Sequence, residues 1–416
     1  MKTIEITIPG SKSLTNRAII MASLSSGISK ISNFSNSLDS RIMIRAMKKL
    51  GVKIKKNKDE LRITGNGGIF PKFNGLINAG NAGTAARFLT ALITLVPGKI
   101  IINKSKRMRE RPIKELDQAL KKIRTGKISI KGNISSQFVS SLLMIAPVLK
   151  KGLVIQVVDR LVSRSYVDMT IDLLNKFGVK MINNQYRKFI VEKNQELKPT
   201  VYEVEGDASG ASYFWAMAAI TGKRIKVKNI NPKSSQGDIR FVDVLEKMDC
   251  QVIRNVKEKW IEVRGPKILR RTNANMINMP DTAQTLAIVS AFAKGKTIIT
   301  GLSSLKMKET DRLLALKNEL NKMKIKSEIT KDSIIITGGN PQKAVIETYE
   351  DHRMAMAFAV AKLRIPELII RNPEVVNKSF PEFWKEFKKL GTVFFERHTP
   401  IGAPGDFQKT LVPRFE

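Results

Sequence analysis

One pattern returns six times along this 416-residue chain, and nothing else in the sequence limits the possible folds as strongly. Each copy opens with a polar turn that runs into a helix of small and apolar residues. The openings are Ser11, Asn81, Ser135, Asp207, Asp281 and Asp351, spaced by 70, 54, 72, 74 and 70 residues. SKSLTNRAIIMASL, NAGTAARFLTALITLV and DHRMAMAFAVAKL show the type: apolar nearly all round, as a helix is when it is buried on every side. A short strand follows, usually announced by glycine, as in KGLVIQVVD and TGKRIKVKNI. Next comes an amphipathic helix, and four copies continue into alternating hairpins such as VKIKKNKDELRITG and IKSEITKDSIIITG. Repetition at this period predicts an α/β architecture of six equivalent units. The unit counted as the third departs from the pattern: ALKKI runs straight into RTGKISIKGN, without a hairpin, which accounts for the 54-residue spacing. The last unit ends near Gly391, and 392–416 is read as an appended tail.

A chain of this length is expected to form two or more domains, each with its own core. The single cysteine, Cys250, permits no intrachain disulfide framework and suits a reducing, cytoplasmic setting. MKTIEITIPGSKS lacks the apolar run of a signal peptide, and the longest apolar stretches fall well short of about 18 residues, so no membrane span is expected. The net charge of +36, from 73 basic and 37 acidic residues, raises nucleic acid as a partner. Two observations oppose that reading. The lysines are scattered through every segment, and only five tyrosines and three tryptophans are present to stack on bases.

The helix openings are where chemistry is expected. Backbone N–H groups converge at such termini and favour anions. Here they carry cations and hydroxyls as well: Ser11, Lys12, Ser13 and Arg17 at the first; Asn81, Gly83, Thr84 and Arg87 at the second; Ser135, Ser136 and Gln137 at the third. Arg107, Arg109 and Arg111 precede one amphipathic helix, and Ser163, Arg164, Ser165 and Tyr166 precede another. The stretch Lys306-Met307-Lys308-Glu309-Thr310-Asp311-Arg312 places five charges in seven residues before the apolar pattern Leu313, Leu314, Leu316, Leu320. That pattern predicts a helix opened at Glu309, with Glu309, Asp311 and Arg312 in or beside its first turn and a bound anion compensating the cations. The whole predicts a small polyanionic substrate in a closed cleft, where ion pairs count for far more than on the surface. His352, between Asp351 and Arg353 at a capped helix start, is read as structural, and Cys250 as inert packing.

GSKSLTNRA (10–18), GNAGTAARFLTA (80–91), RMRERPI (107–113), SSQFVSSLLMIAP (135–147), GDASGASYF (206–214), KMKETDRLLAL (306–316), DHRMAMAFA (351–359) and NKSFPEFW (377–384) resemble the signatures of the EPSP synthase family, in order and over almost the whole chain to Gly391. The resemblance implies two domains, each of three βαβαββ units around buried parallel helices. Their expected bounds are 11–205 for the first and 1–10 with 206–391 for the second. It implies transfer of the enolpyruvyl group of phosphoenolpyruvate to the 5-hydroxyl of shikimate 3-phosphate, with no metal or organic cofactor, in a protein expected to be a monomer. By motif, Lys12, Gly83, Arg87, Arg107, Lys308, Arg312, Arg353 and Lys378 would hold phosphoenolpyruvate. Lys12, Ser13, Arg17, Ser135, Ser136, Gln137, Ser163, Tyr166, Asp281, Ser304 and Lys308 would hold shikimate 3-phosphate. Asp281, Glu309 and Lys308 are the acid/base candidates. Phe88 and Ser304 depart from common family residues, and the missing hairpin is expected to cost stability rather than a site. Transfer to a UDP-sugar, the reaction of the sister family, and a catalytically impaired nucleic-acid-binding relative are the alternatives. The sister family usually carries a reactive cysteine in a loop that has no counterpart in this sequence.

Overall fold

The computed structural model describes residues 3–395. Six helices form its interior: Lys12–Leu24, Gly83–Leu92, Ser136–Ile145, Ala208–Thr221, Ala283–Ala291 and His352–Lys362. In the second, fifth and sixth of these every residue is buried, which explains why their sequences show no polar face. The alanines and serines among them let the helices approach closely.

Each core helix is preceded by one strand and followed by another. In four units the following strand also pairs antiparallel with the second strand of a hairpin. The third copy is typical: Leu153–Val158 lies parallel to Lys127–Lys131 and antiparallel to Lys188–Val191, which pairs in turn with Ile182–Asn184. Four sheets have four strands, and two, built on Gly75–Gly80 with Ile100–Lys104 and on Val345–Ile346 with Ile369–Ile370, have two. The missing hairpin therefore belongs to the unit opened by the second core helix, not the third as counted from sequence, and the sixth unit lacks one as well.

In four units the strand before a core helix pairs within its own unit; in the first and fourth the strands are exchanged. Ile4–Thr7 lies parallel to Arg224–Lys228, while Val201–Glu203 lies parallel to Ser26–Ser32. The two crossing segments meet at a bridge between Gly10 and Gly206. A Cβ on Gly10 would stand 1.7 Å from the carbonyl oxygen of Asn33, and one on Gly206 would stand 2.1 Å from that of Asn229, so no larger residue fits either place. Asn33 and Asn229, both with positive φ, return the contact by donating to the carbonyls of Val204 and Ile8. Apolar side chains collect in two large clusters. One draws on residues between 14 and 204, the other on Ile6, Ile8 and residues between 208 and 390. These are called the first and second lobes below.

Several local expectations are corrected. The helix expected at Glu309 starts at Arg312 with Asp311 as its cap, accepting from the N–H groups of Leu313 and Leu314, so Glu309 lies in the connection before it. Asn81 is one residue too early for a cap, since Ala82 holds that place. Asp281 sits in a 3₁₀ turn, Pro280–Thr282, and does not cap the following helix. The final helix runs through Phe395, past the expected boundary at Gly391, and the remaining tail, 396–416, lies outside the described residues. Among the described residues no helix is long and apolar enough to cross a membrane.

Candidate active site

The openings of the core helices from both lobes converge on one cavity. Its walls carry Lys12 and Ser13 from the first helix opening, Gly83, Thr84 and Arg87 from the second, and Ser135, Ser136 and Gln137 from the third. The second lobe contributes Asp281, Ser304, Lys308, Glu309, Arg312, His352 and Arg353. Ser163 and Tyr166 close the wall from the first lobe. Six cations (Lys12, Arg87, Arg111, Lys308, Arg312, Arg353) face three carboxylates (Asp39, Asp281, Glu309), an excess of three positive charges in a largely buried space.

Most of these charges are already paired. Arg312 is buried, and its guanidinium spans Asp351 at 2.7 and 3.2 Å, Asp281 at 3.1 Å and Glu309 at 2.9 Å. The protein's own carboxylates thus neutralise the Arg312 cation at this helix start. Asp281 also receives Arg353 at 2.8 Å, Lys308 at 3.4 Å and the Tyr166 hydroxyl at 2.9 Å. Burial alone would raise Asp281, but Arg353, Lys308 and Arg312 outweigh it and hold the carboxyl well below the usual range. Glu309 behaves likewise: burial raises it, while Lys378 at 2.6 Å, Arg111 at 3.7 Å and Arg312 hold it well below. Lys308 is lowered, by burial first, with Asp281 opposing. Its amine is therefore easier to deprotonate than an exposed lysine.

Arg111 is different. It is buried, and its Nε and Nη1 have no hydrogen-bond partner. A Cβ on Gly83 would stand 2.7 Å from its guanidinium, so the glycine lets the helix opening lie against the arginine without displacing that side chain. Arg87 donates to Gln137 Oε1 at 2.8 Å and to the Pro112 carbonyl, and it is lowered to about 9 by burial and then by Arg111. Two arginines thus crowd each other at the same wall. His352 also faces the cavity with neither ring nitrogen hydrogen-bonded, and burial, then Lys378 and Arg353, keep the ring neutral.

Three predicted residues do not line the cavity. Arg17 is buried behind it, donating to Thr170 Oγ1 at 2.7 Å and to the carbonyls of Ser13 and Tyr166 at 2.9 and 3.0 Å, so it props two wall residues. Phe88 lies 5.1 Å beneath that guanidinium, an aromatic face on which the cation rests. Lys378 stands behind Glu309 as its ion partner. Arg107, expected at phosphoenolpyruvate, points elsewhere: its donors go to backbone carbonyls of Lys306, Lys308 and Glu309. Arg111, one turn further along the same arginine cluster, occupies the wall instead. Sequence spacing could not choose between two arginines four apart. Asp39, which holds the Lys12 ammonium at 3.0 Å, was also missed, because it reads as an ordinary acid in the first turn of an outer helix. Asp238 is a further buried acid, accepting from the Ser209 hydroxyl and raised to about 7 by burial and then by Asp281.

The family model for EPSP synthase (3-phosphoshikimate 1-carboxyvinyltransferase) matches residues 3–126 and 121–387. The chain belongs to the EPSP synthase family. A 3-phosphoshikimate 1-carboxyvinyltransferase of Mannheimia succiniciproducens is 38% identical, over 93% of this chain and 96% of the relative. That of Aliivibrio fischeri is 40% identical over the same shares. Among solved structures, an EPSP synthase of Acinetobacter baumannii superposes with a TM-score of 0.76 at 23% identity, covering 92% of this chain and 95% of that one. An enolpyruvyl transferase of Streptomyces tendae reaches 0.70 at 13% identity, covering 94% and 95%. Both share the fold. Cys250, by contrast, is buried in the second-lobe core, its thiol pushed up to about 12 by burial and Asp249, and it has no part in the site of this family member.

Proposed function

We infer that this chain transfers the enolpyruvyl group of phosphoenolpyruvate to the 5-hydroxyl of shikimate 3-phosphate, releasing phosphate, as a step of the shikimate pathway. The observation that carries the reading is the cavity's excess of three positive charges, with Arg111 Nε and Nη1 making no hydrogen bond, in a chain of this family. Each substrate is a phosphate bearing a carboxylate, and forked guanidinium donors suit both groups.

The first-lobe hydroxyls of Ser13, Ser135, Ser136 and Ser163, with Lys12, Gln137 and Tyr166, bind shikimate 3-phosphate, and Ser304 meets it from the second lobe. Arg111, Arg87, the backbone at Gly83, and Arg353 hold phosphoenolpyruvate; Lys378 and Arg312 act from behind through Glu309. Glu309 donates a proton to the methylene carbon, so that positive charge develops at C2. The 5-hydroxyl then attacks C2, forming the new C–O bond as its proton passes to Lys308. Asp281, acidified by three cations, is a poor base and instead orients Lys308 and the substrate hydroxyls. Collapse of the tetrahedral intermediate breaks the C2–O bond to phosphate, and a methyl proton returns to Glu309. The phosphate carries away the proton from the hydroxyl.

Phosphate release should require both substrates and fall by about 10²–10⁴-fold in Glu309→Gln, the range expected when one general acid is lost. Release from phosphoenolpyruvate alone, or an unimpaired variant, would contradict the assignment.

A further inference from the structure

The short helix Lys106–Glu110 belongs to the first lobe and is firmly seated there. Ser105 caps it by accepting from the Met108 N–H at 3.2 Å, and Met108, fully buried, packs against Ala79 and Ala86. From this base Arg107 reaches the other lobe. Its Nε lies 3.2 Å from the Lys308 carbonyl oxygen and 3.1 Å from that of Glu309, and its Nη2 lies 3.3 Å from that of Lys306. The remaining Nη1 is tethered to Glu110 at 3.1 Å. One rigid fork therefore ties the Lys306 carbonyl, near the end of the 3₁₀ turn Ser303–Met307, to the Lys308 and Glu309 carbonyls of the irregular connection that leads to the helix Arg312–Lys322.

We propose that Arg107 is a positioning residue: from the first lobe it fixes the backbone that carries Lys308 and Glu309 once the lobes are together. The inference rests on the reading of the site given above. Its physical basis is geometric. Lys308 and Glu309 need their side chains placed to well within an ångström for proton transfer, and a connection without ladder hydrogen bonds does not supply that. A guanidinium presents fixed, parallel donors, whereas an ammonium at the same place reaches one or two of the carbonyls. Because the contact bridges the lobes, the chemical groups are set only in the closed molecule, where water is excluded. The role differs from substrate binding, since the donors are spent on protein carbonyls and the side chain stands outside the cavity wall.

The test compares wild type with Arg107→Ala and Arg107→Lys. In Arg107→Ala, kcat should fall by roughly ten- to a hundredfold, the cost of a misplaced catalytic group. Binding of shikimate 3-phosphate alone, measured by calorimetry, should stay within about twofold, because its contacts are mostly on the first lobe and do not involve Arg107. Arg107→Lys should recover part of kcat, and solvent deuterium should enter the phosphoenolpyruvate methylene more slowly in step with kcat. An Arg107→Ala protein with kcat within about twofold of wild type would overturn the proposal, as would a loss of shikimate 3-phosphate binding as large as the loss of kcat. If the alanine variant does not fold, the same comparison is made with Arg107→Lys and Arg107→Gln. Absence of substrate-dependent phosphate release in wild type would refute the reaction assignment instead, so the two failures are separable.

Discussion

Replacing Arg111 by glutamine should make the substrate-free protein more stable and the enzyme worse. Arg111 is buried with two nitrogens that make no hydrogen bond, and it shares its wall with Arg87, whose own affinity for protons it depresses. An unsatisfied buried donor costs about 1–3 kcal/mol, more when charged. Against this stands one favourable partner, Glu309 at 3.7 Å, but that carboxylate keeps Lys378 at 2.6 Å and Arg312 at 2.9 Å when Arg111 is gone. The balance favours the variant by about 1–2 kcal/mol, with each kcal/mol worth roughly 1 °C in a chain of 416 residues that unfolds as one. Phosphoenolpyruvate binding moves the other way. Two charge-assisted hydrogen bonds of roughly 1.5–3 kcal/mol each are lost, so its KM should rise by about a hundredfold or more. Thermal melts without ligand and steady-state kinetics at saturating shikimate 3-phosphate measure the two effects. A melting temperature lower than wild type, or a KM within twofold, would refute the reasoning, because each would mean that Arg111 is held by something other than an expected anion.

Two further outcomes follow from the buried acids. Asp238 binds its proton up to about pH 7 in the folded chain against an ordinary value of 3.8, so the folded state holds more protons than the unfolded one between these limits. Stability contributed by this group is therefore full below about pH 4 and is lost as pH rises through about 7, at most roughly 4 kcal/mol; Asp238→Asn should remove that slope, and urea midpoints of the two proteins that fall in parallel from pH 5 to 8 would count against it. Glu309 is held low by Lys378, Arg111 and Arg312. Substrate anions that neutralise these cations should raise it, so forming the complex with phosphoenolpyruvate and an unreactive shikimate 3-phosphate analogue should take up protons. Calorimetry in buffers of different ionisation enthalpy reads this uptake, and an equal uptake in Glu309→Gln would rule it out.

The six-unit plan was legible because buried helices and edge hairpins write different periods into the sequence. The apolar run Ala283–Ala291 and the alternation of Lys53–Lys56 with Glu60–Asn66 could hardly be confused. Most wall residues were legible too, since they cluster at the openings of those helices. What escaped was direction. Whether Arg107 or Arg111 turns inward depends on the helix ending at Glu110, where Arg111 leaves in an extended conformation, and no composition reveals that break. Asp39 and Asp238 escaped for a related reason: each is an acid near the start of an outer helix or turn, and its importance lies in a partner far along the chain. Arg17 was placed in the site by its motif, and it supports the wall without forming it.

The overall charge of +36 and the cavity's excess of three act over different ranges. At physiological salt an exposed lysine is screened within about 8 Å, so most of the positive charge is invisible to a ligand in the cleft. Within the cleft the cations divide by what they touch. Arg312 is occupied by Asp281, Asp351 and Glu309, and breaking such pairs would leave a buried charge without a partner. It fixes the positions of the carboxylates. Arg111 and the neutral His352 have donors free and face the cavity. These are available to read the substrate. The same carboxylate, Glu309, joins the two sets, since its partners include one cation from the first lobe and two from the second. An anion that draws Arg111 away from Glu309 therefore changes the acidity of the group that must give up a proton, and recognition of phosphoenolpyruvate becomes part of preparing the acid.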